Sequence, residues 1–146
     1  MDLPEISQRL FAAKKKSPFS FADLASKLRL DEVCVAAIFY RQATATEEEA
    51  KAIASLLDLE DDIAAQLTEY PRKGLGPVVP TDPFVYRLYE VMQVYGFPLK
   101  SVVQEKFGDG IMSAIDFTMH VDKETTDSGD RVVVTMNGKF LPYKKW

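Results

Sequence analysis

A cluster of prolines and glycines near the middle of the chain separates two segments with different hydrophobic periods. Residues 71–79 contain four residues that interrupt regular structure: Pro71, Gly74, Gly76 and Pro77. Such a cluster is typical of a linker. Before it, apolar residues recur at helical spacing; after it, the pattern begins helical and ends with an alternation of period two. We therefore expect an α+β chain with an N-terminal domain (1–70), a linker (71–79) and a C-terminal domain (80–146).

The N-terminal domain is predicted to be a bundle of short helices. Ser20 and Asp23 have the spacing of a capping box, and Thr46 precedes three glutamates that suit a first helical turn. Cys34 lies among apolar residues and is predicted to be in the core. The apolar spacing indicates helices over about Ile6–Lys14, Ser20–Leu28, Asp31–Arg41, Thr46–Leu57 and Glu60–Thr68.

The second and third of these helices have the layout of a helix-turn-helix, as in the DNA-binding domain of a repressor. The helix that would enter the major groove begins with Asp31 and Glu32 and contains no Arg, Lys, Asn or Gln up to Phe39. Those residue types are the usual readers of base edges, and two carboxylates at the start would face phosphates. We therefore favour a bundle used for packing and assembly over one that binds DNA.

The C-terminal domain is predicted to contain two helices followed by antiparallel strands. The alternation after residue 114 indicates a strand with one buried face, and Asn137-Gly138 is a strong hairpin-turn signal. A domain with so few elements cannot bury its apolar residues well on its own. We therefore expect the strands to pair or pack across a subunit interface. The expected elements are helices Pro83–Tyr95 and Pro98–Phe107, strands Ile115–Val121, Arg131–Met136 and Lys139–Tyr143, and a polar loop Lys123–Asp130.

Composition excludes several classes of function. The 146 residues carry a formal net charge of −4 and are 47% hydrophobic, a balance that disfavours nucleic acid and anionic membranes as partners. One cysteine, Cys34, and one histidine, His120, allow neither an intrachain disulfide nor a Cys/His zinc cluster. No apolar run reaches membrane-spanning length and the start of the chain lacks an apolar signal core. These features predict a cytoplasmic protein.

Arg87 and Glu90 are the only charged residues in the apolar helix Pro83–Tyr95. Their i, i+3 spacing places them on one face, within reach of each other. We expect most of this helix to be buried, where an ion pair costs desolvation energy and calls for a functional reason. Arginine offers a planar fork of donors that suits a small oxyanion. The plainer alternative is an ordinary ion pair on a helix surface, and spacing alone favours it.

Ser113 follows a turn, Gly108-Asp109-Gly110, that can expose backbone N–H groups. Its hydroxyl could donate a hydrogen bond to an anion, or it could simply bond to nearby backbone. A serine nucleophile would need a base. His120 lies seven residues on, with opposite strand parity, so a serine hydrolase is weakly supported. We expect His120 at an exposed strand position and Asp109 to form the turn.

Several blocks, in the same order along the chain, resemble the signature of the cyanase family (cyanate hydratase, or cyanate lyase). The resemblance is most specific between Pro80 and Phe117 and looser before Pro71. Matching blocks in order carry far more weight than one short motif. The blocks are Pro80-Thr81-Asp82-Pro83, Tyr86-Arg87, Tyr89-Glu90, Gln93-Val94-Tyr95-Gly96, Glu105 to Ile111, Ser113-Ala114-Ile115 and Gly138-Lys139-Phe140-Leu141-Pro142.

The resemblance implies an intertwined C-terminal dimerisation domain and a homodecamer, a pentamer of dimers, with active sites between subunits. It implies that Arg87, Glu90 and Ser113 are catalytic. The implied reaction converts cyanate and bicarbonate into carbamate and carbon dioxide, after which carbamate breaks down to ammonia and carbon dioxide. Bicarbonate is then a co-substrate, and neither a metal nor an organic cofactor is needed. The implied role is in cyanate detoxification and nitrogen metabolism.

The sequence also allows two other functions. One is a helix-turn-helix regulator whose C-terminal domain dimerises and senses a small anion. The acidic helix beginning at Asp31 argues against it. The other is an inactive scaffold with the same fold, which substitution of Arg87 would distinguish from an enzyme.

Overall fold

The computed structural model describes residues 3–71, 73–74 and 78–146, so part of the predicted linker (residues 72 and 75–77) lies outside the described residues. The chain forms two compact units, Met1–Gly74 with Met119–Thr135, and Leu75–Thr118 with Met136–Trp146. In the described residues the elements are α1 (Glu5–Lys16), α2 (Phe21–Leu28), α3 (Glu32–Phe39), α4 (Glu47–Leu56), α5 (Asp61–Thr68), α6 (Pro83–Phe107), β1 (Gly110–Thr126) and β2 (Gly129–Pro142). The α+β class is confirmed.

The first unit holds the hydrophobic core, to which all five predicted N-terminal helices contribute. Aromatic rings stack edge to face within it, with the centroids of Phe11 and Phe39 5.5 Å apart. Cys34 is exposed, so its predicted place in the core is wrong; helix α3 turns its neighbour Val35 inward instead. The fully buried side chains include Leu10, Leu24, Val35, Ile38, Phe39, Ile53, Ile63 and Leu67.

Local capping explains why the helices begin where the sequence predicts. Ser20 and Asp23 form a complete capping box at α2, and Thr46 forms another at α4 with Glu49. Each satisfies backbone N–H groups that the first turn leaves unpaired. Arg41, which the sequence did not single out, is buried and donates to the carbonyl oxygens of Leu67 (3.2 Å) and Glu69 (2.8 Å). It thereby ties the end of α5 to the end of α3.

The two predicted C-terminal helices are one continuous helix, α6, with Pro98 in its interior. The predicted break at Gly96-Phe97-Pro98 is therefore wrong. Proline removes one backbone N–H, but its fixed φ is itself helical, so the chain can continue through it. Ser101 donates its hydroxyl to the carbonyl oxygen of Phe97 (3.1 Å) in the turn around the proline. With 25 residues, α6 is about 37 Å long.

The three predicted strands are two, which form a hairpin that turns at Asp127-Ser128 and not at Asn137-Gly138. Gly129 adopts a positive φ of 119° just after the turn, and Thr126 donates to its carbonyl oxygen (2.8 Å). The predicted polar loop Lys123–Asp130 belongs almost wholly to the strands. Its side chains pair across the hairpin, as in the 2.7 Å Lys123–Asp130 ion pair. Strands that are polar on both faces give no alternation signal, which is why the sequence missed them.

In the second unit the apolar side chains of α6 are exposed, and no residue of the helix is buried in the single chain. Phe97 is 80% exposed, and on β1 the side chain of Ile115 is 97% exposed. The expectation of a mostly buried helix and a buried strand face is therefore wrong for one chain alone. The physical reason is that no helix or strand in the described part of this chain covers these side chains. Exposed apolar surface of this extent is typical of an interaction surface.

His120 links the outer part of the hairpin to the helical bundle, within the first unit. Its Nδ1 lies 2.7 Å from Asp31 Oδ2, and its Nε2 lies 3.1 Å from Asp122 Oδ1. Asp31 also caps α3 by accepting from the backbone N–H of Val33 (2.8 Å). His120 is exposed, as predicted. Its bond to a residue 89 positions away was beyond sequence reasoning.

The contact between His120 and Asp31 should depend on pH. Hydrogen bonds to Asp31 and then Asp122 raise the pKa of His120 above its ordinary value of 6.5, and the bond from His120 lowers the pKa of Asp31. A histidine whose pKa is raised by folding contributes stability that is complete below its ordinary pKa of 6.5 and is lost as the pH rises through the raised pKa. An aspartate whose pKa is lowered by folding contributes stability that is lost as the pH falls through the lowered pKa.

We therefore expect the contact to be strongest between these two limits. His120 is the chain's single histidine, so one NMR titration curve reports it. Replacing Asp31 with asparagine should lower the His120 pKa more than replacing Asp122. Equal pKa values in the wild type and Asp31→Asn would contradict the contact. Lys123→Ala, which leaves both carboxylates in place, is the control.

Candidate functional site

Arg87 and Glu90 form a direct ion pair on α6. Arg87 Nη1 donates to Glu90 Oε2 at 2.8 Å, one helical turn apart. Asp82 starts the helix by accepting from the N–H groups of Phe84 and Val85, both at 3.0 Å, and Pro83 occupies the first turn. The predicted pairing of Arg87 with Glu90 is confirmed. These local signals fix the register of the helix and so the face on which the pair lies.

The pair lies on the surface of the single chain. The side chain of Arg87 is 72% exposed and that of Glu90 46%. An exposed pair of this kind contributes about 0–1 kcal/mol to stability, so stability alone does not account for it among apolar neighbours. Of the five N–H donors of the guanidinium, one of the two on Nη1 is directed to Glu90, which leaves the others for an anion. The arrangement can orient an arginine toward a small, negatively charged ligand.

The turn after α6 forms as the sequence predicts. Gly108 ends the helix with a positive φ of 88°, a conformation that glycine adopts without strain. Asp109 Oδ1 accepts from Gln104 Nε2 (3.1 Å) and its carbonyl oxygen accepts from the N–H of Tyr143 (3.1 Å). The role of Asp109 as a turn former is confirmed, and Gly110 begins β1 at once.

Ser113 is the buried residue of β1, at 6% exposure. Its Oγ accepts hydrogen bonds from the backbone N–H groups of Ile115 (3.1 Å) and Asp116 (3.0 Å). The plainer alternative, a hydroxyl at the start of the strand that bonds to backbone, is therefore correct for the Ser113 oxygen as an acceptor. The hydroxyl hydrogen remains a donor, because accepting two bonds does not use it. Both ring nitrogens of His120 contact carboxylates, so nothing here supports a serine hydrolase.

Gly138 is a residue that sequence reasoning misassigned. It lies within β2, and a Cβ placed on it would fall inside contact distance of the Ser113 carbonyl oxygen and 2.5 Å from Met112 Cγ. Gly110 has a similar position, where a Cβ would lie 2.6 Å from the Phe140 ring. Gly138 permits the two strands to approach closely beside Ser113, and Gly110 permits a close approach at the start of β1. An isolated glycine inside a strand pattern was the available signal, but Asn137-Gly138 reads more strongly as a turn.

The chain brings Arg87 and Glu90 together but does not join them to Ser113. In the described residues, the side-chain hydrogen bonds of Ser113 go to Ile115 and Asp116, and none connects it with the ion pair. Four cavities of the first unit, with volumes of about 510–570 Å³, are lined by none of the three candidate residues. Within the described residues of one chain, the three candidate residues do not share a hydrogen-bond network.

No group of three or more His, Cys, Asp or Glu side chains is arranged to hold a metal ion in the part of the chain that the structure describes. Among the same residues, no helix is long and apolar enough to cross a membrane.

Comparison with known proteins adds two family models that divide the chain between them. Residues 4–71 match the model described as "Cyanate hydratase, N-terminal". Residues 77–145 match the one described as "Cyanate lyase C-terminal domain".

Individual relatives agree with the models over the whole length. A cyanate hydratase from a Nostoc species is 66% identical over 100% of both chains, and one from a Synechocystis species is 58% identical over 99% of this chain and 97% of its own. The crystal structure of cyanase from T. urticae matches with a TM-score of 0.85 and 32% identity, covering 94% of this chain and 97% of that one. With both halves matched by family models and full-length relatives above half identity, the chain belongs to the cyanate hydratase family.

Proposed function

We propose that this protein is a cyanate hydratase, a lyase that breaks down cyanate in a bicarbonate-dependent reaction. The observation that carries the proposal is the full-length 66% identity to a relative of that name, in a chain whose Arg87–Glu90 pair suits an anion. The proposed physiological role is cyanate catabolism, which removes a toxic anion and releases ammonia for nitrogen metabolism.

The proposed chemistry joins two small anions. A bicarbonate oxygen attacks the cyanate carbon and forms a C–O bond, which gives a dianionic intermediate. With uptake of one proton, the bond between that oxygen and the bicarbonate carbon breaks, giving carbon dioxide and carbamate. Carbamate takes up a second proton and splits into ammonia and a second carbon dioxide. No electron acceptor or donor is needed, and we propose bicarbonate as co-substrate with no metal or organic cofactor.

Arg87 is proposed to hold the negative charge of the substrates and of the dianion. Two anions repel each other, and holding them in contact also costs entropy. A fixed guanidinium offsets the repulsion and can bind a carboxylate-like group through two parallel bonds. Since the charge concentrates on one intermediate as the reaction proceeds, Arg87 can stabilise the transition state more than the separate substrates.

Glu90 and Ser113 are proposed to complete the catalytic set. Glu90 accepts from Arg87 at 2.8 Å and so can keep the guanidinium in one orientation, and its carboxylate could relay a proton. Ser113 has a hydroxyl hydrogen left for an anion because its oxygen already accepts two bonds. Neither residue is proposed as a nucleophile, since bicarbonate itself supplies the attacking oxygen.

We propose that residues 80–146 form the catalytic and dimerisation domain, after an N-terminal domain (1–70) and a linker (71–79), and that ten copies assemble as a pentamer of dimers. Support comes from the exposed apolar surface of α6 and from the hydrogen bonds of Ser113, which in the described residues of one chain do not reach the Arg87–Glu90 pair. Strands that interlock between copies could cover that surface and bring these residues together at subunit interfaces.

A cytoplasmic location and the absence of a nucleic-acid partner are also part of the proposal. A single cysteine suits a reducing compartment. At the start of α3, Asp31 and Glu32 would repel phosphates, and Asp31 is held by His120.

The first prediction concerns the reaction itself. Purified protein incubated with cyanate should release ammonia and carbon dioxide only when bicarbonate is present, because bicarbonate supplies the attacking oxygen. Ammonia release is measured against bicarbonate concentration in carbonate-depleted buffer. Cyanate breakdown that does not respond to bicarbonate, or none at all, would contradict the proposed function.

The second prediction concerns Arg87. The Arg87→Ala variant should lose about 100-fold or more in kcat/KM, as expected for removal of a charge-stabilising donor, while its assembly persists. Arg87→Lys should recover only part of the loss because lysine lacks the planar fork. Lys51→Ala is the matched control, since Lys51 forms a comparably exposed helix ion pair with Glu47 in α4. Unchanged turnover in Arg87→Ala would rule out the role given to this residue.

The third prediction concerns assembly. Light scattering coupled to size-exclusion chromatography should give about 164 kDa, ten times the 16.4 kDa chain. Phe97→Glu should lower the mass and the activity together, because it places a charge in the apolar surface of α6. Tyr70→Glu, at a side chain of the first unit that is nearly fully exposed, should change neither. A wild-type mass of one chain would contradict oligomerisation, and a mass of two would contradict the decamer.

A further inference from the structure

The strand that carries Ser113 has a local irregularity. Ser113 lies against Gly138 of β2, and the two-residue turn Asp127-Ser128 places Thr126 opposite Gly129. Between these two points β1 runs 13 residues and β2 only nine, so β1 contains a bulge, in which extra residues of one strand are left without a partner. The N–H groups of Ile115 and Asp116 donate to a side chain directly after Ser113, which locates extra residues at this point.

The bulge, defined here as Ala114–Asp116, explains two observations about side chains. It exposes Ile115, although the residue has the same strand parity as buried Ser113. It also turns the N–H groups of Ile115 and Asp116 toward the Ser113 hydroxyl, which accepts both. A serine oxygen has two lone pairs and one hydrogen, so these two bonds fill its acceptor capacity.

We propose that Gly138 is a positioning residue for Ser113, and that together with the bulge it makes the Ser113 hydroxyl a dedicated hydrogen-bond donor. Gly138 lets β2 approach the backbone of Ser113 more closely than any side chain would allow. The two bulge amides then fix the oxygen and leave only its hydrogen for a ligand. An acceptor-saturated hydroxyl favours an anion such as bicarbonate or cyanate, and it excludes a ligand that must donate to serine.

A need for space, and not an unusual backbone conformation, explains why residue 138 is a glycine. Among the glycines that the structure describes, Gly74, Gly108 and Gly129 have a positive φ and Gly138 does not. The atom that a Cβ would approach most closely is the Ser113 carbonyl oxygen, which is backbone and cannot rotate away as the Met112 side chain can. Adding a methyl group would therefore push β1 outward at Ser113.

The proposal rests on the proposed role of Ser113 as an anion donor, so the first test does not use activity. Hydrogen–deuterium exchange with mass spectrometry on a peptide spanning 113–117 should show about two amides exchanging faster in Ser113→Ala than in the wild type, since both lose their acceptor. Ser113→Thr, which keeps a hydroxyl, should retain protection. Unchanged exchange in Ser113→Ala would overturn the proposal even in a fully active enzyme.

The second test is a double-mutant cycle on kcat/KM. Gly138→Ala should lower kcat/KM by about 10-fold or more and Ser113→Ala by about 100-fold. If Gly138 acts through Ser113, the double variant should be no more than about 3-fold below Ser113→Ala. A purely structural role for Gly138 would instead make the two losses multiply, and that result would overturn the proposal.

A second glycine of the same hairpin serves as a control in this cycle. Gly110→Ala produces a comparable clash with Leu141 and Phe140, so its loss should multiply with that of Ser113→Ala. A Gly138→Ala protein that fails to assemble while Gly110→Ala assembles would count against the proposal, since Gly138 would then support the whole fold.

Discussion

Helix α6 buries none of its residues within a single chain, and the proposed function of the second unit depends on how this apolar surface becomes covered. A helix that is apolar on most faces normally lies in a core. In this chain α6 is exposed instead, and its first half carries the Arg87–Glu90 ion pair on the exposed surface. The same constraint bears on Ser113, whose side-chain hydrogen bonds go to Ile115 and Asp116 and not to that pair. In the proposed assembly, covering this surface would bury apolar side chains and would also lower the dielectric around Arg87, the proposed anion-binding charge.

The helical bundle of the first unit, by contrast, has a hydrophobic core that is nearly complete within one chain. Its core is closed by side chains such as Phe39 and Leu67, and Arg41 secures the end of α5 through two carbonyl oxygens. The layout of α2 and α3 resembles a DNA-binding unit, but fold does not fix function. Asp31, at the start of the helix that would read DNA, caps that helix and binds His120 of the hairpin. The residue thus serves packing within the chain.

The proposed catalytic residues differ in how far their surroundings are prepared before assembly. Ser113 is buried, accepts two backbone bonds and lies against a glycine that makes room for it. Arg87 has one fixed partner and is otherwise exposed. In the proposed site, a rigid neutral donor would be combined with a more adjustable cation, which suits the binding of two different anions and a dianion in succession. Preorganised donors cost no rearrangement at the moment when charge develops.

Local signals and distant contacts explain which predictions succeeded. The sequence by itself determined the N-terminal helices and their caps, the Gly108-Asp109-Gly110 turn and the reach of Arg87 to Glu90, since each depends on residues within a few positions of one another. The predictions from sequence were wrong at Pro98 and at Asn137-Gly138. There the tertiary structure overrode the usual tendency of proline to break a helix and of Asn-Gly to form a turn.

Only the tertiary structure decided the position of the hairpin turn, the bond between Asp31 and His120, and the use of Gly138 as space beside Ser113. The physical reason is that register, ion pairs across the chain and close backbone approach are set by residues far apart in sequence, whose meeting no local pattern records.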